Sequence, residues 1–183
     1  MKDVDIADVR NFVLLGHTHS GKTTLADSFL HQLGLTQTMG QVDDGTSLLD
    51  TADEEKERNI SLWSKPCAGI YRTSGGASVS MVFTDTPGYD DFFGQALAGI
   101  RSADTALVVI DAGSGVQVGT QRAWRLCEEL NLPRGIVITG LDKENTDFFT
   151  MLSEVQESFG AKCVPVVVPN SDLTQAYSVL ASD

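Results

Sequence analysis

Cysteine and basic residues are both scarce in this chain of 183 residues. The three cysteines, Cys67, Cys127 and Cys163, are far apart and form no C-x-x-C pair. This pattern argues against a disulfide framework or a cysteine zinc site, and it is typical of reduced cysteines in a cytoplasmic protein. Only 13 basic residues stand against 25 acidic ones, which gives a net charge of −12. That balance disfavours a nucleic-acid backbone as the main partner, and we expect no sequence-specific nucleic-acid contact.

Long apolar runs and internal repeats are absent as well. No run is long enough to span a bilayer, and the first ten residues lack the apolar core of a signal peptide. We therefore expect a cytoplasmic location without a membrane partner, and a monomer. Hydrophobic residues at 42% and charged residues at 21% are ordinary for a globular protein. The length suits one domain with a substantial core.

Short apolar runs alternate with helix-like segments along the chain. Five runs have the character of buried strands: residues 11–15, 79–83, 106–110, 135–139 and 163–168. Four segments between them have helical character: residues 23–33, 92–101, 120–130 and 147–159. The alternation predicts an α/β fold, a three-layer doubly wound and mostly parallel sheet with helices on both faces.

Two polar segments interrupt this pattern. Residues 36–58 carry an acidic run and are predicted to lack regular structure. Residues 71–77 contain Ser74-Gly75-Gly76, which predicts a turn between two antiparallel edge strands.

The most informative motif is G-H-T-H-S-G-K-T at residues 16–23, a full match to the phosphate-binding pattern G-x-x-x-x-G-K-[ST]. A predicted strand precedes it and a predicted helix follows, so backbone N–H groups and a helix N-terminus converge on one anion. Gly16 and Gly21 allow the backbone to turn and to approach phosphates closely. Lys22 is expected to reach the β and γ phosphates, and the Thr23 hydroxyl to bind Mg²⁺. The alternative is a chance glycine turn, which the flanking elements disfavour.

A second motif, T-D-T-P-G-Y at residues 84–89, follows the strand predicted at 79–83. Asp85 would end a buried strand beside the phosphate loop, where it can accept hydrogen bonds from Mg²⁺-bound waters. The backbone N–H of Gly88 can approach a γ-phosphate and so report its presence. After a phosphate loop, D-T-P-G favours a GTPase over an ATP-using enzyme.

Four segments in this order resemble the GTPase domain of translation elongation factor G and its elongation factor G-like paralogues: G-H-T-H-S-G-K-T-T-L, E-K-E-R-N-I-S-L, D-T-P-G-Y-D-D-F and V-I-D-A-G-S-G-V-Q-V-G-T-Q-R-A-W. The resemblance runs from about residue 9 to about residue 149. It implies GTP and GDP as ligands, Mg²⁺ as cofactor and the ribosome as a partner. It also implies that residues 1–183 are one GTP-binding domain, a fragment of a longer multidomain factor.

The resemblance further assigns site residues. Nucleotide contacts are implied at Gly16, His17, Thr18, His19, Ser20, Gly21, Lys22, Thr23, Thr24, Asp85, Thr86, Pro87, Gly88, Thr139 and Asp142. Mg²⁺ ligands are implied at Thr23, Ser61 and Asp85, with Ser61 on the position of a threonine in the family's first switch. Catalytic roles are implied at Lys22, Gly88 and Tyr89.

Some residues depart from the family pattern. Tyr89 stands where most translational GTPases have a histidine that positions the attacking water. A tyrosine, with a free pKa near ~10, offers no imidazolium at neutral pH, so we predict slow intrinsic hydrolysis. Asn59 replaces a family glycine in the first switch. His19 has the chemistry of a base, but a structural role is favoured because side chains in this loop usually point away from phosphate.

The base-reading motif departs most. Residues 139–142, T-G-L-D, align with the family's N-K-x-D. The Asp142 carboxylate would select guanine by accepting from N1–H and the 2-amino group. Thr139 replaces the asparagine, and Gly140 replaces a lysine whose stem packs along the base and ties the motif to the phosphate loop. That loss is expected to cost about 1–3 kcal/mol of binding free energy.

Three interpretations of the function stay open on the sequence alone. The first is a GTP-hydrolysing switch domain. The second is a non-catalytic or very slow nucleotide-sensing module, which Tyr89, Thr139 and Gly140 favour; in that interpretation T-G-L-D is merely a helix-capping turn. The third is an ATP-using enzyme, against which D-T-P-G and Asp142 count.

Overall fold

The computed structural model describes residues 5–180, which form two sheets and five α-helices. The main sheet contains β1 (Val9–Leu15), β2 (Lys65–Arg72), β3 (Ser78–Asp85), β4 (Thr105–Asp111) and β5 (Arg134–Thr139). The helices are α1 (Lys22–Gln32), α2 (Asp53–Arg58), α3 (Phe93–Ser102), α4 (Val118–Glu129) and α5 (Phe148–Phe159). Within residues 5–180, no helix has both the length and the apolar character needed to cross a membrane.

The strand order of the main sheet is β2-β3-β1-β4-β5. Strand β1 runs parallel to both β3 and β4, and β4 runs parallel to β5, whereas β2 is antiparallel to β3. The predicted mostly parallel α/β fold is therefore confirmed. Since parallel strands end at the same edge of a sheet, the segments that follow β1, β3, β4 and β5 lie together, where ligands of such sheets bind.

Helices cover both faces of the sheet because successive strand residues point to opposite sides. Leu14 of β1 is fully buried in a cluster with Ala26 of α1. Its neighbour Val13 packs on the other face with Ile100 of α3 and Cys127 of α4. Burying each large apolar side chain contributes roughly 1.5–3 kcal/mol. These two layers hold β1, and with it the loop that follows, in a fixed position.

The prediction of a fifth buried strand at residues 163–168 is wrong. Only β6 (Val167–Pro169) is extended there, and it pairs antiparallel with β7 (Ala176–Ser178) in a separate two-stranded sheet. Val164 is 69% exposed, so no second layer covers this run. Apolar composition predicts burial, but burial also requires a packing partner.

The prediction that residues 36–58 lack regular structure is correct as far as residue 52 and wrong beyond it, where α2 forms. Its first turn is acidic and its last turn basic, an arrangement that complements the helix dipole. Asn59 ends the helix in the left-handed conformation, with φ at 52°. Asparagine tolerates that conformation better than most residues, so it can stand where the family has glycine.

The antiparallel pair predicted around residues 71–77 is confirmed, with Gly76 at φ +83° in the turn between β2 and β3. Only β2 lies at the edge of the sheet. Strand β3 is internal because its other side pairs with β1.

Candidate functional site

A cavity of about 590 Å³ lies where β1, β3, β4 and β5 end. Many of the residues singled out from the sequence line it: Thr18, His19, Gly21, Lys22, Thr23, Thr24, Ser61, Thr86, Gly88, Tyr89 and Thr139. The others lie behind its wall or beside it: Gly16, His17, Ser20, Asp85, Pro87 and Asp142. The fold thus gathers residues from four separate segments of the chain around one space.

The loop after β1 has a backbone that glycine makes possible. Gly16 has φ +143°, and a Cβ there would collide with the carbonyl oxygen of Val109. Gly21 has φ +84°, which L side chains rarely adopt. The His17 ring packs against α4, since a Cβ added to Gly119 would lie 2.7 Å from its Nδ1. His17 therefore serves the loop through its backbone and not through its imidazole.

Lys22 is the charged group of this loop. It is only 5% exposed, and its Nζ donates to the carbonyl oxygen of His17 at 2.6 Å. Burial lowers the pKa of Lys22 to about 8, and the nearby Asp85 carboxylate opposes this shift only in part. A buried ammonium at the wall of a cavity is stabilised by an anion, so the site is electrostatically suited to a phosphate group.

The three residues predicted to bind Mg²⁺ lie together. Thr23 Oγ1 donates to Asp85 Oδ2 at 2.8 Å and lies 3.0 Å from Ser61 Oγ. Asp85 is buried, and its Oδ1 has no hydrogen-bond partner. Burial raises the pKa of Asp85 to about 6, an effect that the hydrogen bond from Thr23 and the charge of Lys22 reduce.

These residues fit a magnesium ion. Hydroxyl and carboxylate oxygens are the protein ligands that Mg²⁺ prefers, usually completed by waters and phosphates. An unpartnered oxygen on a buried carboxylate is unusual and calls for such a partner. The residues that the structure describes contain no cluster of three or more His, Cys, Asp or Glu side chains suited to a metal. The ion would depend on the two hydroxyls as much as on Asp85.

Asp50 is a site residue that the sequence analysis missed. It is 3% exposed and lines the cavity, and its Oδ1 accepts from Ser61 Oγ at 2.9 Å and from Lys65 Nζ at 3.0 Å. Its Oδ2 has no partner. The sequence offers one signal for its position, the apolar Leu49 beside it, which is buried against the sheet. That signal is weak in a segment with several other acidic residues.

The D-T-P-G motif packs tightly against the phosphate loop. A Cβ on Gly88 would lie 2.5 Å from Lys22 Nζ and 2.7 Å from the backbone nitrogen of Thr18, so only glycine permits this approach. Thr86 Oγ1 donates to the carbonyl oxygen of Leu14 at 2.6 Å, which fastens the motif to β1. The backbone of Gly88 is thus held beside the lysine that would contact a terminal phosphate.

Tyr89 and His19 meet at the rim of the cavity. The Tyr89 hydroxyl lies 3.4 Å from His19 Nε2, and the two rings are edge-on with centroids 6.1 Å apart. His19 has a left-handed backbone, with φ at 57°. The contact gives His19 a packing role, and neither a catalytic nor a purely structural role is tested by it. Pro87 lies against a second, smaller cavity on the side of α3 and α4.

The end of the cavity formed by β4 and β5 differs from the sequence expectation. Thr139 Oγ1 donates to the carbonyl oxygen of Ser20 at 2.9 Å, so the T-G-L-D motif is tied to the phosphate loop without a lysine at position 140. Asp142 is exposed and does not line the cavity, so its contact with a base stays a prediction. Gly140, Lys143 and Asp111 line that end instead.

A parallel sheet whose first strand leads through this glycine loop to a buried lysine and a helix defines a P-loop nucleotide-binding domain. The chain matches the family described as the elongation factor Tu GTP binding domain over residues 7–179. It therefore belongs to that family and is a GTP-binding domain of the elongation factor type.

The similar proteins agree with this assignment. Two are the elongation factor G-like proteins of Mycobacterium tuberculosis strains CDC 1551 / Oshkosh and ATCC 25618 / H37Rv, each 37% identical over 164 residues. These matches cover 90% of this chain and 22% of the relatives, so the chain spans about a fifth of their length. A crystal structure of a Thermus thermophilus protein is 36% identical, with a TM-score of 0.81, over 89% of this chain and 24% of that one.

Proposed function

We propose that this chain binds and slowly hydrolyses GTP as the switch domain of an elongation factor G-like factor that acts on the ribosome. The observation that carries the proposal is the 3.0 Å approach of Ser61, from the segment that resembles the first switch, to Thr23 of the phosphate loop. Because the relatives are several times longer than the matched region, we also propose that the domain works as part of a multidomain factor.

The residues at the phosphate end of the cavity have separate tasks. Lys22 neutralises charge on the β and γ phosphates, and the backbone N–H groups of the loop donate to the same oxygens. The Gly88 N–H, close to Lys22, would detect the terminal phosphate. Asp85 stays behind Thr23 and orients its hydroxyl through the 2.8 Å hydrogen bond.

Thr23, Ser61 and Asp85 are the residues that would hold Mg²⁺, with Asp50 beside them. The ion would supply further neutralisation of phosphate charge during phosphoryl transfer. Ser61 belongs to the segment after α2, so its engagement depends on how that segment is held. Lys65 and Glu55 hold it, since Glu55 Oε1 accepts from the Leu62 N–H at 2.9 Å and from Lys65 Nζ at 2.6 Å.

This arrangement supports a nucleotide-dependent switch. The phosphate loop is built into the sheet, whereas the Ser61 segment is attached through a small number of polar contacts. A ligand that engages both would favour the ordered segment, and loss of the terminal phosphate would remove part of that preference. A partner such as the ribosome would sense the difference through the position of this segment.

The proposal is tested by single-turnover phosphate release from GTP and from ATP, with and without ribosomes. Slow release from GTP and none from ATP would support it. The Lys22→Met variant measures contaminating GTPase activity in the same preparation. Binding of GTP without any release, even with ribosomes, would instead favour the nucleotide-sensing alternative.

Replacing Tyr89 by histidine is expected to increase the single-turnover rate of GTP hydrolysis about tenfold or more. An imidazole at the cavity rim can orient water and carry positive charge near neutral pH, which a phenol does not do. Tyr71→His, at an exposed tyrosine on β2, is the matched control and is expected to leave the rate unchanged. An unchanged rate for Tyr89→His would show that Tyr89 does not limit hydrolysis.

A further inference from the structure

A lysine and an aspartate form an ion pair at the end of the cavity opposite the phosphate-binding groups. Lys143 Nζ donates to Asp111 Oδ1 at 2.6 Å. The Asp111 side chain is 9% exposed, whereas the Lys143 side chain is 57% exposed and lines the cavity. Ser114 Oγ donates to the other carboxylate oxygen of Asp111 at 2.9 Å. Asp111 is therefore fixed at both oxygens and can hold the ammonium group in one place.

The stem of Lys143 fills the space beside Gly140. Gly140 has φ +67°, and a Cβ there would lie 2.6 Å from Asp111 Oδ1 and 3.0 Å from Lys143 Cε. A side chain at position 140 would therefore displace this ion pair. Since Gly140 offers only backbone, the nearest aliphatic surface at this end of the cavity belongs to Lys143.

We propose that Lys143 forms one wall of the base-binding part of the cavity, with its stem packed along a face of the purine ring. This inference rests on the proposed function, because it assumes that a nucleotide lies with its phosphates at Lys22. A methylene stem provides apolar contact to a planar ring, and an ammonium near the ring face adds a favourable electrostatic contact.

Two features make Lys143 suited to this task. Its partner Asp111 ends β4, a central strand, so the ammonium is anchored to the rigid part of the fold. Thr139 ties the start of the same loop to the Ser20 carbonyl oxygen, which keeps Gly140 and Lys143 in register with the phosphate loop. Lys143 thereby becomes a positioning residue for the base, in a motif where Asp142 is exposed to solvent.

The test compares Lys143→Ala with Lys143→Met in calorimetric titrations of the chain with GDP and Mg²⁺. Methionine keeps an aliphatic stem of similar reach and removes the charge, whereas alanine removes both. We expect the dissociation constant to rise about tenfold for Lys143→Ala and less than about threefold for Lys143→Met. Lys162→Ala, at an exposed lysine beyond α5, is the matched control and should bind like wild type.

The melting temperature of the free protein separates a role in binding from a structural role. A weaker affinity of Lys143→Ala with an unchanged melting temperature would support the inference. Unchanged affinity, equal losses for the two variants, or a loss that accompanies a lower melting temperature would each overturn it. If the wild-type chain itself fails to bind GDP, the proposed function is overturned and the inference with it, whereas wild-type binding with an unaffected Lys143→Ala variant overturns the inference alone.

Discussion

Replacing Lys22 by methionine is expected to weaken GDP binding about 100-fold while leaving the free protein at least as stable as wild type. The lysine supplies a buried charge for the phosphates, and losing such a charge-assisted contact costs about 3 kcal/mol of binding free energy. In the free protein the same charge is unfavourable, because burial lowers the pKa of Lys22 to about 8.

The pH dependence follows from that shift. The pKa of Lys22 lies below the 10.5 of an unperturbed lysine, so its ionised form destabilises the folded state at pH 7 by on the order of 2–3 kcal/mol. The folded wild-type protein loses its proton first, so this group adds stability as the pH rises from about 8 towards 10.5. Urea unfolding should show that rise in wild type and not in Lys22→Met. A variant that loses binding only because it unfolds would contradict this account.

Replacing Lys65 by methionine is expected to destabilise the free protein by about 3 kcal/mol. Lys65 Nζ pairs with Asp50 at 3.0 Å and with Glu55 at 2.6 Å, and both acids are almost completely buried. Removing the cationic partner of a buried charge leaves that charge uncompensated, which costs about 3–5 kcal/mol when the site is dry. Thermal unfolding should register a decrease in melting temperature of about 10 °C.

Two variants sharpen this second expectation. Arg122→Met removes a cation from an exposed pair with Asp90 and should cost no more than about 1 kcal/mol. Asp50→Asn in the Lys65→Met background removes one of the stranded charges and should restore part of the lost stability. If Lys65→Met unfolds like wild type, the buried cluster does not hold the Ser61 segment as described.

The phosphate half of the site was predictable because its information is local. Lys22 and Thr23 follow one contiguous motif, and the strand before it and the helix after it fix the direction of the loop. Asp85 was predictable for a similar reason, since it ends an apolar strand that must lie beside the first. Short spacings and strong periodicity carry these inferences without knowledge of tertiary contacts.

The remaining site features depend on contacts between distant segments. Asp50 becomes a cavity residue because Lys65 and Ser61 pack against it, and nothing in its immediate sequence distinguishes it from Asp43 or Asp44. The Lys143 and Asp111 pair joins the ends of two strands, and it occupies the space that the sequence analysis left to position 140.

The error at residues 163–168 has the same origin. Their apolar pattern is that of a buried strand, but the main sheet ends at β5 and offers this run no place. Composition describes what a segment can tolerate, and tertiary contacts decide whether a partner is present. Val164 and Val166 are exposed for this reason.

The central claim is that the cavity selects guanine nucleotides although its base-reading motif has Thr139 and Gly140. Calorimetric titration of the chain with GDP, GTP and ATP, each with Mg²⁺, tests that claim most directly. The account predicts saturable binding of GDP and GTP that is at least about tenfold tighter than binding of ATP. Equal affinity for the three nucleotides, or tighter binding of ATP, would contradict it.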